Sequence, residues 1–335
     1  MKNTILITGA SGFIGSHLID EALRFDWDVY ASVRSTSNKA YLTDKRIHFV
    51  ELDFSSQQNL EVQLDDLTTS MGGFDYVIHN AGITYAPKKE DFYTVNTQYT
   101  KNLVQALQAK GLPRKKFVLI SSLAIYGPGN ADTFKPIHVN DAPAPISTYA
   151  KSKWQGEQFV RSLHSFPYLI LNPTAVYGPR DRDFLGLVKM VKLGLEVSIG
   201  SYRQMTSLIY VKDLARVVIA ATRSELQYRS FLISDGQAYD QRSLAQFVKR
   251  FLHRKTLRIT LPLALFQLAV KAIDRCYSLL GTQPFLNEEK VKEISSANWL
   301  CDSDEIWQEL KITPRHTLQT GLEETLKWYE EQKWI

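Results

Sequence analysis

Short apolar runs alternate with longer amphipathic stretches through the first two thirds of the chain. The runs are TILIT, DVYASV, IHFVEL, YVIHNAG, KFVLISS, YLILN and, later, SFLIS. Short buried strands that alternate with helices are typical of a parallel sheet whose strands are joined by crossover helices. The pattern therefore predicts an α/β fold with a doubly wound parallel sheet of about seven strands.

The pattern changes after about residue 236, where helical periodicity dominates and no comparable series of strands follows. One stretch in this part, ITLPLALFQLAVKAIDRCYSLLG, carries two interleaved apolar stripes and a narrow polar face. Such a helix has too much apolar surface to stand alone in water. Packing within the fold is the leading explanation, and the wall of an apolar substrate pocket is the second. Attachment to a membrane surface comes third, because few basic residues flank the polar face.

The composition narrows the class of protein. Of the 335 residues, 44% are hydrophobic and 22% are charged, and the net charge is +5, which is typical of a soluble globular protein. Because the chain has no dense lysine and arginine stripe with interleaved aromatics, nucleic acid is not an expected partner. No apolar run reaches the length of a membrane span, so membrane association is not expected either.

The cysteines indicate the cellular compartment. Cys276 and Cys301 lie far apart and are too few for a disulfide framework or a cysteine-based zinc site. They suit a reducing cytosol. The start MKNTILITG enters a strand pattern at once, so no signal peptide is expected. These features predict a cytoplasmic protein without a metal site.

Three glycines, Gly9, Gly12 and Gly15, separate the first apolar run from a helical pattern in ILITGASGFIGSHLIDEAL. In a dinucleotide-binding turn, the first glycine permits the tight turn and the second lets backbone N–H groups approach a pyrophosphate. The third allows the helix to pack closely on the sheet. The N-terminus of the helix adds partial positive charge for the phosphates. The turn therefore predicts nucleotide binding. Its other predicted contact residues are Ser11, Phe13 and Ile14.

The spacing GxxGxxG, preceded by Thr8, resembles the extended short-chain dehydrogenase/reductase family, which includes nucleotide-sugar epimerases and dehydratases. Further motifs match the family in order between residue 4 and about residue 215, namely HNAG, YAKSK, NPTAVYGPRD and YVKDLA. In pattern the chain is closest to members similar to dihydroflavonol reductases and hydroxysteroid dehydrogenases. The resemblance implies a Rossmann-type fold, hydride-transfer chemistry, and NAD or NADP as the cofactor.

The resemblance also implies which residues bind the cofactor beyond the glycine turn. Asp53 and Phe54 correspond to the pair that contacts adenine, and HNAG corresponds to the loop beside the cofactor after the fourth strand. The predicted set is Arg34, Lys39, Asp53, Phe54, Asn80, Ala81, Gly82, Asn96, Ser121, Tyr149, Lys153 and Pro173.

Two domains are predicted from the motifs and the change in pattern. Residues 1–173 plus about 206–235 are expected to form the cofactor-binding domain. Residues from about 174 to 205 plus 236–335 are expected to form a smaller, mostly helical substrate-binding lobe. The active site is expected in the cleft between these two parts, and the protein is a candidate homodimer.

Tyr149 and Lys153 stand one helical turn apart in ISTYAKSKWQGE, as in the YxxxK motif of the family. A free tyrosine has a pKa of about 10, and a lysine ammonium on the same helix face favours the phenolate. Tyr149 can then exchange a proton with an alcohol or a carbonyl while hydride moves to or from the nicotinamide. The resemblance places Ser122 where the family has the serine or threonine that orients the substrate.

The end of the second strand, DVYASVRSTSNK, indicates which cofactor is bound. Val33 occupies the position where many such enzymes carry an acidic residue that binds the adenosine ribose and repels a 2′-phosphate. Arg34 follows it, and a guanidinium can hold a 2′-phosphate through charge-assisted bonds. Ser35 and Lys39 could add donors. The pattern favours NADP over NAD.

Departures from the nucleotide-sugar branch indicate the substrate class. Leu123 and Ala124 follow Ser122, where dehydratases carry Asp-Glu, and this argues against dehydratase chemistry. Thr206 stands where an arginine usually meets the diphosphate, although Arg203 is nearby. The first hypothesis is an NADP-dependent reductase or dehydrogenase acting on a mainly apolar carbonyl or alcohol. The alternative is a nucleotide-sugar epimerase with retained NAD. A third hypothesis, a non-catalytic cofactor sensor, is disfavoured because the Ser-Tyr-Lys set is intact.

Overall fold

The computed structural model describes residues 2–200, 203–279, 284 and 286–335. The strands are β1 (Asn3–Thr8), β2 (Trp27–Ser32), β3 (Ile47–Val50), β4 (Tyr76–His79), β5 (Lys116–Ile120), β6 (Tyr168–Pro173), β7 (Ala175–Tyr177), β8 (Leu195–Ile199), β9 (Met205–Thr206), β10 (Leu208–Tyr210), β11 (Arg229–Ile233), β12 (Tyr239–Asp240), β13 (Leu257–Leu261) and β14 (Asn298–Trp299).

The α-helices are α1 (Phe13–Ala22), α2 (Gln57–Met71), α3 (Lys89–Phe92), α4 (Tyr99–Ala109), α5 (Thr148–Arg161), α6 (Asp183–Lys192), α7 (Val211–Arg223), α8 (Gln241–Phe251), α9 (Leu263–Leu279), α10 (Glu288–Ile294), α11 (Asp304–Leu310) and α12 (Leu318–Glu331). A π-helical segment, Tyr93–Gln98, joins α3 to α4, and a short 3₁₀ helix, Leu123–Tyr126, follows β5.

Seven strands form the central sheet in the order β11-β6-β5-β4-β1-β2-β3. The strands pair in parallel, which confirms the predicted sheet. Every residue of β4, β5 and β6 is buried, because helices cover both faces of a parallel sheet. The strand order reverses between β1 and β4. In open sheets of this kind, ligands bind beyond the carboxyl ends of the strands at such a reversal.

A large part of the core lies between this sheet and the helices α2 and α4. Leu60 and Leu64 of α2, Leu103 and Leu107 of α4, and Phe117 of β5 are all fully buried in one hydrophobic cluster. Their spacing of four residues on each helix places them on one face, as expected for a helix that packs against a sheet. This core holds β4 and β5 rigidly, and the loops that follow these strands carry several candidate site residues.

The described residues divide into two compact units. The first contains Met1–Ile125, Thr148–Asn172 and Ala215–Phe231, and the second contains Tyr126–Ser147, Pro173–Leu214 and Leu232–Ile335. The second unit is about as long as the first, and it includes residues 126–147 and 206–214 in addition to the stretches expected for the substrate lobe. The sequence patterns of these segments are too short to show which unit they join. The assignment of one unit to the cofactor and the other to the substrate stays a prediction.

The second unit is mostly helical and contains small sheets. Strands β8 and β13 pair in parallel, β7 pairs with β10, and β9 lies between β12 and β14. Val188 and Val191 of α6, Val248 of α8, and Leu326 and Tyr329 of α12 form a buried cluster. Within the described residues, no helix is long and apolar enough to cross a membrane.

Helix α9 departs from the leading expectation that it packs within the fold. Val270 is 2% exposed, whereas Leu265 and Leu268 are 64% and 65% exposed. One side of the helix is therefore packed and the other lies on the surface. Periodicity could not show this, because both apolar stripes of the helix have the composition of a core-facing side.

Candidate active site

The glycine turn joins the carboxyl end of β1 to α1. Gly9 has φ +66°, a conformation that favours glycine, and a Cβ atom there would lie 2.8 Å from the backbone nitrogen of Ala81. A Cβ atom at Gly15 would lie only 2.0 Å from the carbonyl oxygen of Gly9. The chain can therefore turn and bring α1 against the end of β1 only with glycine at both positions.

The N-terminus of α1 follows directly after the glycine turn. Gly12 is the residue before the helix and has no side chain that could cap the first turn, which also contains no acidic residue. Backbone N–H groups at the start of a helix need an acceptor and carry partial positive charge. The turn thus has the geometry that a pyrophosphate group requires.

A chain of hydrogen bonds through His79 supports the loop after β4. The Ala81 N–H donates to Thr8 Oγ1 at 3.1 Å, and Thr8 Oγ1 lies 2.8 Å from His79 Nδ1. On the other side of the ring, His79 Nε2 lies 3.0 Å from Thr100 Oγ1, which donates to the Asn96 carbonyl. The network ties the end of β1 to the loop after β4, which holds Asn80, Ala81 and Gly82, and to the π-helical segment.

Burial, and secondly the charge of Lys153, lowers the pKa of His79 to about 3. An unfolded histidine has a pKa of about 6.5, so between these values the unfolded chain binds a proton that the folded protein does not. Stability therefore falls as the pH falls from about 6.5 towards about 3. In urea unfolding, we expect the free energy of unfolding of His79→Gln to depend less on pH than that of the wild type, by about 1 kcal/mol per pH unit in this range. The exposed His164 is the control, since His164→Gln should keep the wild-type slope. An unchanged slope in His79→Gln would contradict the assignment.

Asn96 lies in the π-helical segment between α3 and α4. Its side chain accepts from the Ile83 N–H at 2.9 Å and donates to the Ile83 carbonyl and to Ser152 Oγ, each at 3.0 Å. π-Helical turns are rare and occur often at functional sites. A Cβ atom at Gly156 would lie 2.7 Å from the Asn96 carbonyl oxygen, so α5 approaches this segment closely.

Tyr149 and Lys153 both lie on α5, and Lys153 is anchored to β5. The Lys153 ammonium donates to the carbonyl of Ile120, the last residue of β5, at 2.7 Å. Burial lowers the pKa of Lys153 to about 8, although Glu157 opposes the shift. The Tyr149 ring is half-buried and makes an edge-on contact with Phe92 at 6.4 Å between centroids.

The end of β5 holds the two serines singled out from the sequence. Ser122 Oγ accepts from the Ala124 N–H at 3.2 Å, in the 3₁₀ turn. The Ser121 side chain is buried, and its hydroxyl has no hydrogen-bond partner among the described residues. A buried hydroxyl without a partner costs free energy, so this atom suits a hydrogen bond to a bound ligand.

Three residues that sequence reasoning did not use orient this region. Glu157 is fully buried on α5, and its carboxylate accepts from Arg161 at 2.7 Å and from Asn172 Nδ2 at 2.8 Å. Asn172 also donates to the Ser122 carbonyl at 3.4 Å. The Asn172 amide thereby links α5 to the Ser122 turn. The spacing of Glu157 and Arg161 was visible in the sequence, but the link to Asn172 depends on the fold.

The end of β2 carries the residues expected to select the cofactor. Val33 is buried, and its N–H donates to the Val50 carbonyl. Arg34 is exposed and begins a turn in which its backbone exchanges hydrogen bonds with Ser37. The ammonium of Lys39 lies 4.6 Å from the centroid of the Phe49 ring. An exposed guanidinium therefore follows β2.

Asp53 and Phe54 follow β3, and the side chains of both make contacts with other residues of the protein. The Asp53 carboxylate accepts from Ser55 and Asn59, and these hydrogen bonds lower its pKa. The Phe54 ring packs between His79 and Tyr99, with centroids 6.2 and 6.4 Å away. Both residues support the start of α2 and the core, and their contact with adenine stays a prediction.

Four residues from the motifs and positions discussed above lie in the second unit. Pro173 is buried at the end of β6. Thr206 lies in β9, and Arg203 stacks on Phe134 at 5.5 Å. Asp213 is buried and accepts from the His316 side chain at 3.0 Å as well as from the backbone N–H groups of Arg315 and His316. Asp213 thus has a structural role in holding the segment before α12.

The sheet order and the glycine turn before α1 define a dinucleotide-binding class of α/β fold. Within this class, the chain belongs to the NAD dependent epimerase/dehydratase family, whose profile it matches over residues 5–234. The predicted membership of the extended short-chain dehydrogenase/reductase superfamily is confirmed. The likeness to dihydroflavonol reductases and hydroxysteroid dehydrogenases in particular stays a prediction.

Relatives of known name include two kinds of enzyme. The chain is 26% identical to a ceramide reductase of Caulobacter vibrioides, over 100% of this chain and 96% of the relative. It is 25% identical to a UDP-glucose 4-epimerase of Vibrio cholerae, over 97% and 95%. The structure of a UDP-glucuronic acid 4-epimerase from Bacillus cereus in complex with NAD superposes with a TM-score of 0.76 at 21% identity, over 98% and 99%. The family is one of enzymes, and its homologues include reductases and nucleotide-sugar epimerases.

Proposed function

We propose that the protein is an NADP-dependent oxidoreductase that interconverts a carbonyl and an alcohol on a mainly apolar substrate. The observation that carries the proposal is the arrangement at the end of β5. Lys153 is held 2.7 Å from the Ile120 carbonyl, two residues before Ser122, and stands one turn after Tyr149 on the same helix. These are the residue types that proton exchange with a carbonyl oxygen requires.

The residues around the glycine turn fit a bound dinucleotide. The uncapped start of α1 would hold the pyrophosphate, and the partnerless Ser121 hydroxyl would gain a hydrogen bond. Asn80, Ala81 and Gly82 would line the adjoining part of the site. When bound, the cofactor supplies or accepts the hydride.

Three side chains would handle the proton and the substrate. Ser122 would donate a hydrogen bond to the substrate oxygen and hold it near Tyr149. The Tyr149 hydroxyl would give a proton to a carbonyl oxygen, or its phenolate would remove one from an alcohol. The Lys153 ammonium would stabilise the phenolate, because an opposite charge nearby favours the ionised form.

A preference for NADP is supported by the residues that follow β2. The exposed Arg34 guanidinium could form charge-assisted hydrogen bonds with a 2′-phosphate, and the buried Val33 offers the ribose no carboxylate. We expect the wild type to bind NADPH more tightly than NADH. Arg34→Leu should weaken NADPH binding about 10- to 100-fold and leave NADH binding nearly unchanged, as calorimetric titration would show.

Lys45→Gln serves as the control for this titration. Lys45 is exposed and lies on the segment before β3, so its loss should change neither affinity. Equal binding of NADPH and NADH by the wild type would contradict the preference. An equal loss in Arg34→Leu and Lys45→Gln would show only a general charge effect.

A nucleotide-sugar epimerase that retains NAD is the second candidate. It is favoured by the relative in Vibrio cholerae, which is nearly as similar to this chain as the reductase. Denaturing freshly purified protein and identifying the released nucleotide separates the two functions. Stoichiometric NAD would support the epimerase, since such an enzyme keeps its cofactor through each turnover. Little bound nucleotide would support a reductase that exchanges its cofactor.

The substrate class, the cellular location and the oligomeric state are also proposed. The name of the Caulobacter relative refers to a lipid, which agrees with a mainly apolar substrate. A cytoplasmic location rests on the two distant cysteines. Homodimer formation rests on the family resemblance and can be measured by analytical ultracentrifugation.

A further inference from the structure

Helix α9 presents an apolar stripe to solvent. The stripe consists of Leu265, Leu268, Ala269, Ala272 and Ile273, which recur with the spacing of one helix face. All five residues are exposed, and Leu265, Leu268 and Ile273 are 64%, 65% and 45% exposed. A face with this spacing is normally turned towards a core. The α9 stripe therefore has the pattern of a buried surface without being buried.

The packed side of the same helix is a different one. Val270 is 2% exposed, Leu263 and Phe266 are half-buried, and the helix packs against α10. Consecutive residues on a helix are 100° apart, so Val270 points away from Leu265 and Ala272. Rotation of α9 to bury the stripe would expose Val270 and Phe266 instead. The described residues of its own unit therefore leave the outward stripe uncovered.

The positive charge of the protein is concentrated in the stretch of sequence that contains this helix. Residues 241–279 contain eight arginines and lysines and one acidic residue, which is a formal charge of +7, while the rest of the chain sums to −2. Lys249 and Arg250 lie in the last turn of α8, and Lys271 and Arg275 lie on α9 itself. The helix alone carries few basic residues, but the elements that precede it supply the others.

Two further exposed leucines lie at the start of the strand pair that leads into α9. Leu193 is 78% exposed and Leu257 is 66% exposed. They lie close together because the Leu257 N–H donates to the Gly194 carbonyl at 2.8 Å. Lys192 and Lys255 stand one and two residues before these leucines, so the pattern of exposed leucine beside a cation occurs here again.

We propose that the α9 stripe, together with the basic residues of the segment 241–279 that contains it, docks the protein onto the surface of an anionic phospholipid bilayer. Aliphatic side chains can enter the boundary between headgroups and acyl chains, while arginine and lysine contact the anionic headgroups. A second copy is a poorer occupant. A symmetric dimer through this face would bring two segments of charge +7 together, which opposes association. An anionic surface has the complementary charge.

Membrane docking is a property separate from the proposed reaction, and its test does not require catalytic turnover. The full-length protein is sedimented with phosphatidylcholine vesicles and with vesicles that contain about 30% phosphatidylglycerol, a content that makes the surface strongly negative. We expect at least about tenfold tighter binding to the anionic vesicles. Binding should weaken when the ionic strength rises from about 0.1 M to about 0.5 M, because salt screens the attraction. Failure to bind anionic vesicles would overturn the proposal.

Substitutions then test the stripe itself. Leu265→Ser/Leu268→Ser should reduce vesicle binding about tenfold or more and should leave the unfolding midpoint nearly unchanged, because both side chains are already exposed. Val62→Ser is the matched control, since Val62 is 62% exposed on α2. Equal vesicle binding by the double variant and the wild type would overturn the proposal. The proposal would also be overturned if the wild type were a dimer that did not bind vesicles and if the double variant were a monomer. The stripe would then be a dimer interface.

Discussion

Tyr149→Phe is expected to lower kcat for carbonyl reduction by about 10³-fold while NADPH binding stays within about twofold of the wild type. The substitution removes only the hydroxyl that would give its proton to the substrate oxygen. The ring is retained, so its edge-on contact with Phe92 and the packing of α5 should persist. The expected result is therefore a loss of turnover without a loss of the fold or of cofactor affinity. The measurements are NADPH consumption on a panel of apolar ketones and aldehydes, and calorimetric titration with NADPH.

Tyr30→Phe provides the control for the loss of a tyrosine hydroxyl. Tyr30 lies on β2 and stacks on His48, and its hydroxyl has no part in the proposed reaction. Its removal should leave kcat nearly unchanged. Wild-type turnover in Tyr149→Phe would exclude Tyr149 as the proton donor. Wild-type protein that binds NADPH but reduces nothing on a broad carbonyl panel would favour the epimerase or the non-catalytic sensor.

The central sheet could be predicted from the sequence because its inner strands β4, β5 and β6 are buried on both faces. Such strands appear as short apolar runs, and KFVLI of β5 and YLILN of β6 are entirely buried in the fold. The turn after β1 was also readable, since Gly9 and Gly15 stand where a Cβ atom would collide with backbone. The local sequence was therefore sufficient to predict both the fold class and the position of the candidate site in the fold.

The contacts that support the site could not be predicted, because they join residues far apart in the chain. His79 reads as part of an apolar strand, yet its ring links Thr8 to Thr100. Asn172 reads as a polar residue at the end of the apolar run YLILN, yet its amide binds Glu157 and the Ser122 carbonyl. In both cases the residue type was visible and the partner was not.

Helix α9 shows a different limit of sequence reasoning. Apolar periodicity reports which residues share a helix face, but it does not report which face meets the rest of the protein. When a helix has apolar residues on two faces, the neighbouring elements determine which face is buried. Helix α9 packs against α10, and Val270 lies on its buried face. Most of the basic residues of the segment 241–279 precede α9 in the sequence, so the sequence of the helix alone did not show the positive charge of the segment.

Lys153→Met is expected to lower kcat by about 10²- to 10³-fold and to change the response of the protein to alkaline pH. The pKa of Lys153 is lowered to about 8 by burial, so the side chain keeps its charge only below that pH. If its cation stabilises the Tyr149 phenolate, kcat/KM of the wild type should fall above about pH 8. This alkaline limb should be absent from the residual activity of Lys153→Met. The measurement is kcat/KM between pH 6 and pH 10.

The same substitution has a consequence for stability that does not depend on the substrate. An unfolded lysine has a pKa of about 10.4, so between about pH 8 and this value the unfolded chain binds a proton that the folded protein has released. The free energy of unfolding therefore rises with pH in this window, by about 1 kcal/mol per pH unit relative to Lys153→Met. Lys151→Met is the control, because Lys151 is exposed on the same helix. Parallel curves for the wild type and Lys153→Met would mean that the ammonium does not titrate as a buried group. Its role next to Tyr149 would then have to rest on the hydrogen bond to Ile120 alone.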